Sequence, residues 1–232
     1  MALHPPQLIT GARMVYLVWL PADPAAAGGL VPDGLTPQQG APVYLNQYLV
    51  DDAAQTSSAA SPDGFGAYSL TYLGIDLAGL DTEAGVPGRW WTHYFDSSPN
   101  MISYALDHGV PAEGGETTLE LSGGKLVATT LVDGDPIIRT TARVEVGSPA
   151  HATGQLRYIT RVDGELMSGR YPFVMDTAET FEVEAVEFLN PEHPVSALRP
   201  ADPLEITFGF YSPSISFCYP GGEGPLGSAH GS

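Results

Sequence analysis

Apolar residues along this chain fall into short runs rich in Val, Ile, Leu, Tyr and Trp, each closed by Gly, Pro, Asp or Ser. Residues 14–20 (M-V-Y-L-V-W-L), 42–50 (P-V-Y-L-N-Q-Y-L-V), 64–73 and 89–95 read as strands. Residues 117–121, 125–132, 136–146, 153–161, 167–175, 180–188, 204–211 and 215–219 continue the series, with Ser122-Gly123-Gly124, Asp133-Gly134 and Asp163-Gly164 as hairpin turns. So many strands and so few helices predict a mainly β fold, a barrel or a sandwich. Two short helices are expected. Asp23-Pro24 starts one over 25–27, ended by Gly28-Gly29. The other follows Asp96-Ser97-Ser98-Pro99, where a side-chain oxygen can accept from free amides and proline suits the first turn; Gly109 stops it. Residues 1–11 read as an irregular arm, 51–63 and 76–88 as turn-rich connections, and 221–232 as a flexible Gly/Ser-rich tail after a single domain over 1–220.

Side chains alternate along a strand. Tyr44, Asn46 and Tyr48 therefore share one face of their strand. In W-W-T-H-Y, His93 is expected on the face of Trp91, opposite Trp90, Thr92 and Tyr94.

Composition narrows the function. At 232 residues the chain suits one large all-β domain, and 43% hydrophobic with 16% charged residues supports a sizeable core. No apolar run is long enough to span a membrane, and the N-terminus lacks the basic start and apolar stretch of a secretory signal, so a cytoplasmic location is expected. A net charge of −18 with scattered arginines argues against nucleic-acid binding. Cys218 is the only cysteine, which excludes an intrachain disulfide and a cysteine-rich zinc site; a buried, structural thiol is expected. The six histidines have no paired spacing, so no metal is expected, and the absence of P-loop and dinucleotide-binding glycine patterns leaves no cofactor to expect.

One stretch carries a resemblance. Residues 94–113 read Y-F-D-S-S-P-N-M-I-S-Y-A-L-D-H-G-V-P-A-E. This resembles the acetoacetate decarboxylase superfamily, where a strand ending Y-x-D leads to a helix carrying G-R-E and then to P-K-K, whose first lysine forms the Schiff base. The match has no gap. It sets Tyr104, Ala105 and Leu106 on G-R-E, Ala112 on the catalytic lysine and Glu113 on its electrostatic neighbour. A second block, the strand at 14–20, a short helix and then V-P-D-G-L, is similar to the family's V-P-x-x-L turn and sets Arg13 on its carboxylate-binding arginine. Asn46 takes the place of a pocket glutamate, and Leu70 that of an acid/base glutamate.

The resemblance implies an acetoacetate decarboxylase-like closed β-barrel with a few short helices. It also implies a pocket lined by Arg13, Asn46, Leu70, His93, Val110 and Ala112. Tyr48 and Trp91 are candidates for shaping that pocket, against the ordinary role of strand aromatics as core. A Schiff base needs an amine. The one lysine, Lys125, sits after a tight turn where solvation is the rule, so imine chemistry is not expected. With alanine, leucine and valine in place of the family's lysine, glutamate and an aromatic, the pocket suits a larger, mostly apolar small molecule. Arg13 is a candidate anion anchor, against a surface role. His93 is a candidate acid or base, against a core imidazole bonded to backbone. Glu113 is a candidate base at the pocket edge, against a solvated carboxylate. The expected function is a non-imine cyclase, isomerase or dehydratase of natural-product metabolism; the alternatives are a non-catalytic small-molecule binder and a lysine-independent decarboxylase. Family members often assemble, so a homo-oligomer is within the resemblance, with no interface legible.

Overall fold

A computed structural model describes residues 3–58, 64–82 and 85–227. In chain order the strands are β1 (Gln7–Trp19), β2 (Val43–Val50), β3 (Thr56–Ser58), β4 (Tyr68–Leu77), β5 (Gly88–Asp96), β6 (Ala112–Gly114) and β7 (Glu116–Ser122). They continue with β8 (Lys125–Val132), β9 (Asp135–Glu145), β10 (Ala150–Val162), β11 (Glu165–Thr177), β12 (Thr180–Phe188), β13 (Ile206–Tyr219) and β14 (Gly224–Pro225). The helices are α1 (Pro24–Gly28) and α2 (Pro99–Asp107).

Seven strands close a barrel in the order β10-β11-β13-β1-β2-β4-β5, and a parallel seam pairing Tyr158 with Arg89 and Ile159 with Trp90 joins the ends. The other barrel pairings are antiparallel. The expected closed barrel with few helices is what forms.

A second sheet, β12-β9-β8-β7, packs on the outside. The pleat dictates two cores. Along β1, Met14, Tyr16 and Val18 point into the barrel, while Val15, Leu17 and Trp19 face Leu126, Ile138 and Val144 of the outer sheet. A buried hydroxyl–amide net ties the layers. Gln47 donates to Thr130 Oγ1 at 3.0 Å and accepts from Thr140 Oγ1 at 2.7 Å, and the Thr71 hydroxyl lies 2.7 Å from Thr117 Oγ1 and 2.6 Å from Thr130 Oγ1. Gln47→Ala should strand these groups without solvent and cost about 1–3 kcal/mol in chemical denaturation; a loss within error of zero would mean water replaces the amide.

Several boundaries differ from the sequence expectation. β1 begins at Gln7, inside the expected arm, because β3 pairs with 7–9 and gives that edge a partner. Residues 206–219 form one strand rather than two. Residues 221–227, expected to begin a flexible tail, hold β14 against β11, and Tyr158 Oη donates to Glu223 at 2.5 Å. The rest of that tail, like 59–63 of the expected loop, lies outside the described residues. Asp76, expected in a connection, belongs to β4. Cys218 is half-buried rather than buried. α2 follows its local code: Ser98 caps it, accepting from the Met101 amide at 3.4 Å, and Gly109 leaves at φ 74°.

Candidate functional site

The barrel interior divides in two. Near α2 it is filled: Phe65, Tyr68, Tyr94, Tyr104, Leu70 and Val110 pack there, with Phe65 and Tyr104 rings 5.4 Å apart, edge to face. Toward the other end a cavity of about 440 Å³ opens. Met14, Tyr16, Asn46, Tyr48, Tyr72 and Tyr171 line its wall, and Phe208, 56% exposed, lies at its rim.

The cavity is mostly apolar and rich in aromatic rings, with two buried polar features. Deep in it, Asn46 Nδ2 donates to Tyr72 Oη at 2.7 Å, and the Tyr72 and Tyr171 hydroxyls lie 3.1 Å apart. Nearer the 85–87 loop, Arg89 Nε donates to Asp76 Oδ1 at 3.3 Å, a cross-strand pair of β4 and β5 with residues 8% and 5% exposed. The Arg89 guanidinium carbon lies 4.9 Å from the Tyr16 ring centroid and 5.0 Å from that of Tyr44, and these ring faces offset part of the cation's loss of bulk water. Burial pushes the Asp76 carboxyl above the usual carboxylate range, opposed by Arg89. Burial likewise raises the Tyr16, Tyr44, Tyr72 and Tyr171 phenols, so they stay protonated donors at neutral pH. Among the described residues, Tyr16 Oη and Asn46 Oδ1 are buried without a hydrogen-bond partner. Other described orphans, such as Tyr104 Oη and Asp96 Oδ2, lie away from the cavity; these two line it, where a ligand can complete the bonding.

The sequence candidates scatter. Asn46 and Tyr48 line the cavity. Leu70, Trp91 and Val110 are in the filled interior, and Ala112 packs against it. Arg13 is on the outer face of β1, in a two-pronged pair with Asp51 (2.6 and 2.7 Å) and donating to Leu119 O of the outer sheet at 3.1 Å. Glu113 is exposed on β6. The expectation that His93 shares the face of Trp91 meets a β-bulge: Leu73 pairs with His93 but Gly74 with Trp91, leaving Thr92 over. One extra residue reverses the alternation. Trp91 and Tyr94 therefore turn inward, and His93 turns out against Phe95, rings 6.0 Å apart. Lys125 is exposed at the β7–β8 hairpin of the outer sheet.

Burial, then the nearby His193, pull the His93 pKa from 6.5 to about 4. Between those values the unfolded chain binds a proton that the folded chain refuses, so stability falls as pH drops through this window. The contribution is about 3 kcal/mol. Native protein should lose that much more than a His93→Gln variant between pH 7 and pH 4 in denaturation series; parallel curves would contradict this burial.

Sequence reasoning passed over Arg89, Asp76 and Tyr16. The available signal was two opposite charges inside otherwise apolar strand runs, I-D-L and G-R-W-W, in hairpin register.

No protein-family model matches the chain, and no curated protein matches it by sequence. Solved structures do. A structure of acetoacetate decarboxylase superposes with a TM-score of 0.71 at 16% identity, covering 96% of this chain and 90% of that one. The enduracididine biosynthesis enzyme MppR, complexed with pyruvate, gives 0.65 at 14% identity, covering 97% and 91%. An acetoacetate decarboxylase-like enzyme from Sphingomonas wittichii RW1 gives 0.63 at 17% identity, covering 97% and 94%. The chain thus has the acetoacetate decarboxylase-like fold. Among the described residues, no group of three or more His, Cys, Asp or Glu side chains could hold a metal, and no helix is long and apolar enough to cross a membrane.

Proposed function

We propose that this protein is an acetoacetate decarboxylase-like enzyme that works without a Schiff base, as a cyclase, isomerase or dehydratase on a largely apolar small molecule of natural-product metabolism. The observation that carries this reading is the aromatic cavity inside the barrel, paired with a sole lysine exposed on the outer sheet. The fold supports an enzyme by likeness, and MppR, a biosynthesis enzyme of the same fold, supports the metabolic setting. Fold alone does not fix chemistry, so the site must.

The cavity's size suits a molecule that it would largely enclose. Holding a flexible substrate in one reactive conformer can itself contribute roughly 7–11 kcal/mol to an intramolecular step. Tyr72, Tyr171 and Tyr16 hydroxyls and the Arg89 guanidinium stand where fixed dipoles and charge can stabilise an oxygen gaining negative charge. None of this needs an amine nucleophile. The test is trapping: protein incubated with acetoacetate and borohydride should keep its intact mass, because no imine forms to be reduced. A reduced adduct located on Lys125 overturns the proposal and restores the decarboxylase.

A further inference from the structure

We propose that the Asp76–Arg89 pair is a proton-transfer site for a substrate bearing an acidic enol or an enolisable carbonyl, with Asp76 taking the proton and Arg89 with Tyr16 holding the resulting oxyanion. This rests on the cavity as the substrate site. The pair is placed for contact, since both residues line the cavity along with Tyr16. Each has capacity to spare. Among the described residues, Asp76 spends one carboxylate oxygen on Arg89, Arg89 spends only Nε on Asp76, and the buried Tyr16 Oη, close to Arg89, makes no hydrogen bond of standard geometry. Other ionisable groups acting on Arg89 are the phenols of Tyr16 on β1, Tyr44 on β2 and Tyr171 on β11, all neutral, so Asp76 is the carboxylate in this set.

Charge bookkeeping selects the substrate. Asp76 and Arg89 sum to zero, and the described lining residues add no other fixed charge. A ligand entering as a preformed anion would bury an uncompensated charge, which is expensive in an apolar cavity. A ligand entering as a neutral enol does not. Its O–H bond breaks, the electron pair stays on the ligand oxygen, and the proton forms a new bond to a carboxylate oxygen of Asp76. The products are a neutral acid, the guanidinium and an enolate, again summing to zero. For an enolisable carbonyl the same steps run from the α C–H bond, with the pair delocalised onto the carbonyl oxygen. Returning the proton from Asp76 to a different carbon is an isomerisation in which every atom is conserved. Burial raises the Asp76 carboxyl and so makes it a stronger base than an exposed carboxylate, which suits a group that accepts and returns a proton.

Benzoylacetone is a suitable probe: it is apolar, enolisable, and its enolate absorbs differently from its neutral form. Benzylacetone is the neutral comparator of similar shape without the acidic methylene. Binding of both is followed through quenching of tryptophan fluorescence, and ionisation of bound benzoylacetone through its absorption across a pH series. The bound diketone should ionise at a pH lower by at least about one unit than the free compound, a tenfold shift. Arg89→Met should abolish the shift while benzylacetone still binds, whereas Asp76→Asn, which leaves the Arg89 charge to pair with an enolate, should keep the shift but slow deuterium uptake at the diketone methylene at least tenfold. If benzylacetone binds and benzoylacetone ionises in the native protein as it does in water, the pair is not a proton-transfer site, whether or not the variants fold. A downward shift that survives Arg89→Met, or deuterium uptake unchanged in Asp76→Asn, also overturns it. If neither compound binds, the cavity is not the substrate site and the proposal falls with that reading.

Discussion

Asp76→Ala should cost about 3–5 kcal/mol of folding stability, the largest effect we expect from any side-chain truncation in this protein. The variant leaves the Arg89 guanidinium buried, and an arginine cannot shed its charge. The faces of Tyr16 and Tyr44 offset only part of the loss. Exchanging both partners for apolar residues of similar volume behaves differently. Asp76→Leu with Arg89→Met should recover most of the stability, because a buried pair returns little net energy over a well-packed apolar substitute. Turnover should not return with it: losing the donor to a developing oxyanion costs about 100- to 1,000-fold. A double variant as stable as the native protein but inactive therefore marks the pair as functional. Urea denaturation of the single and double variants checks the first half; a neutral Asp76→Ala would mean that water, not Asp76, balances Arg89.

Gly74→Ala should cost about 3 kcal/mol, at the upper end of overpacking. A β-carbon there would stand 1.9 Å from Trp90 O and 2.3 Å from Tyr44 Oη, and the first of these is backbone. Tyr44 crosses this gap to donate to Trp90 O at 3.0 Å. Gly74 also sits opposite the bulge at Thr92, so the clash falls where β5 changes which face turns inward. The expected result is a lowered denaturation midpoint together with a shift in Trp91 fluorescence, since Trp91 is carried into the barrel by that bulge. A midpoint within error of native would show that β5 can slide, and that the cavity wall is less fixed than its packing implies.

The same bulge explains what the sequence withheld. Strand positions and both helices were legible, because each rests on local codes: apolar alternation, Ser98 before Pro99, and Gly109 after the last turn; the closed barrel, which the strand pattern left open against a sandwich, came from the family resemblance. The interior face of β2 was legible too, since Tyr44, Asn46 and Tyr48 alternate without interruption. His93 was not, because one unpaired residue reverses its face and no local residue announces it. Arg13 was misleading for a different reason. The resemblance set it on an anion-binding position, whereas it is one step from Met14 along β1, on the outer face, where Asp51 and Leu119 O take its donors. Ala112 fell at the lysine position, and that end of the barrel is filled by aromatic rings instead. The hollow, with its charged pair, lies toward the opposite end.

On the proposed reading, the barrel cavity converts an apolar small molecule without an imine. The most direct test is mass spectrometry of metabolites from the source organism lacking this gene, before and after adding purified protein. A compound accumulated in the mutant should be consumed catalytically, giving a product of unchanged mass or of that mass less water, and the Asp76→Leu, Arg89→Met protein should fail to consume it. A compound that binds one to one and is recovered unchanged would contradict this reading in favour of a carrier, and a product lighter by carbon dioxide would contradict it in favour of decarboxylation.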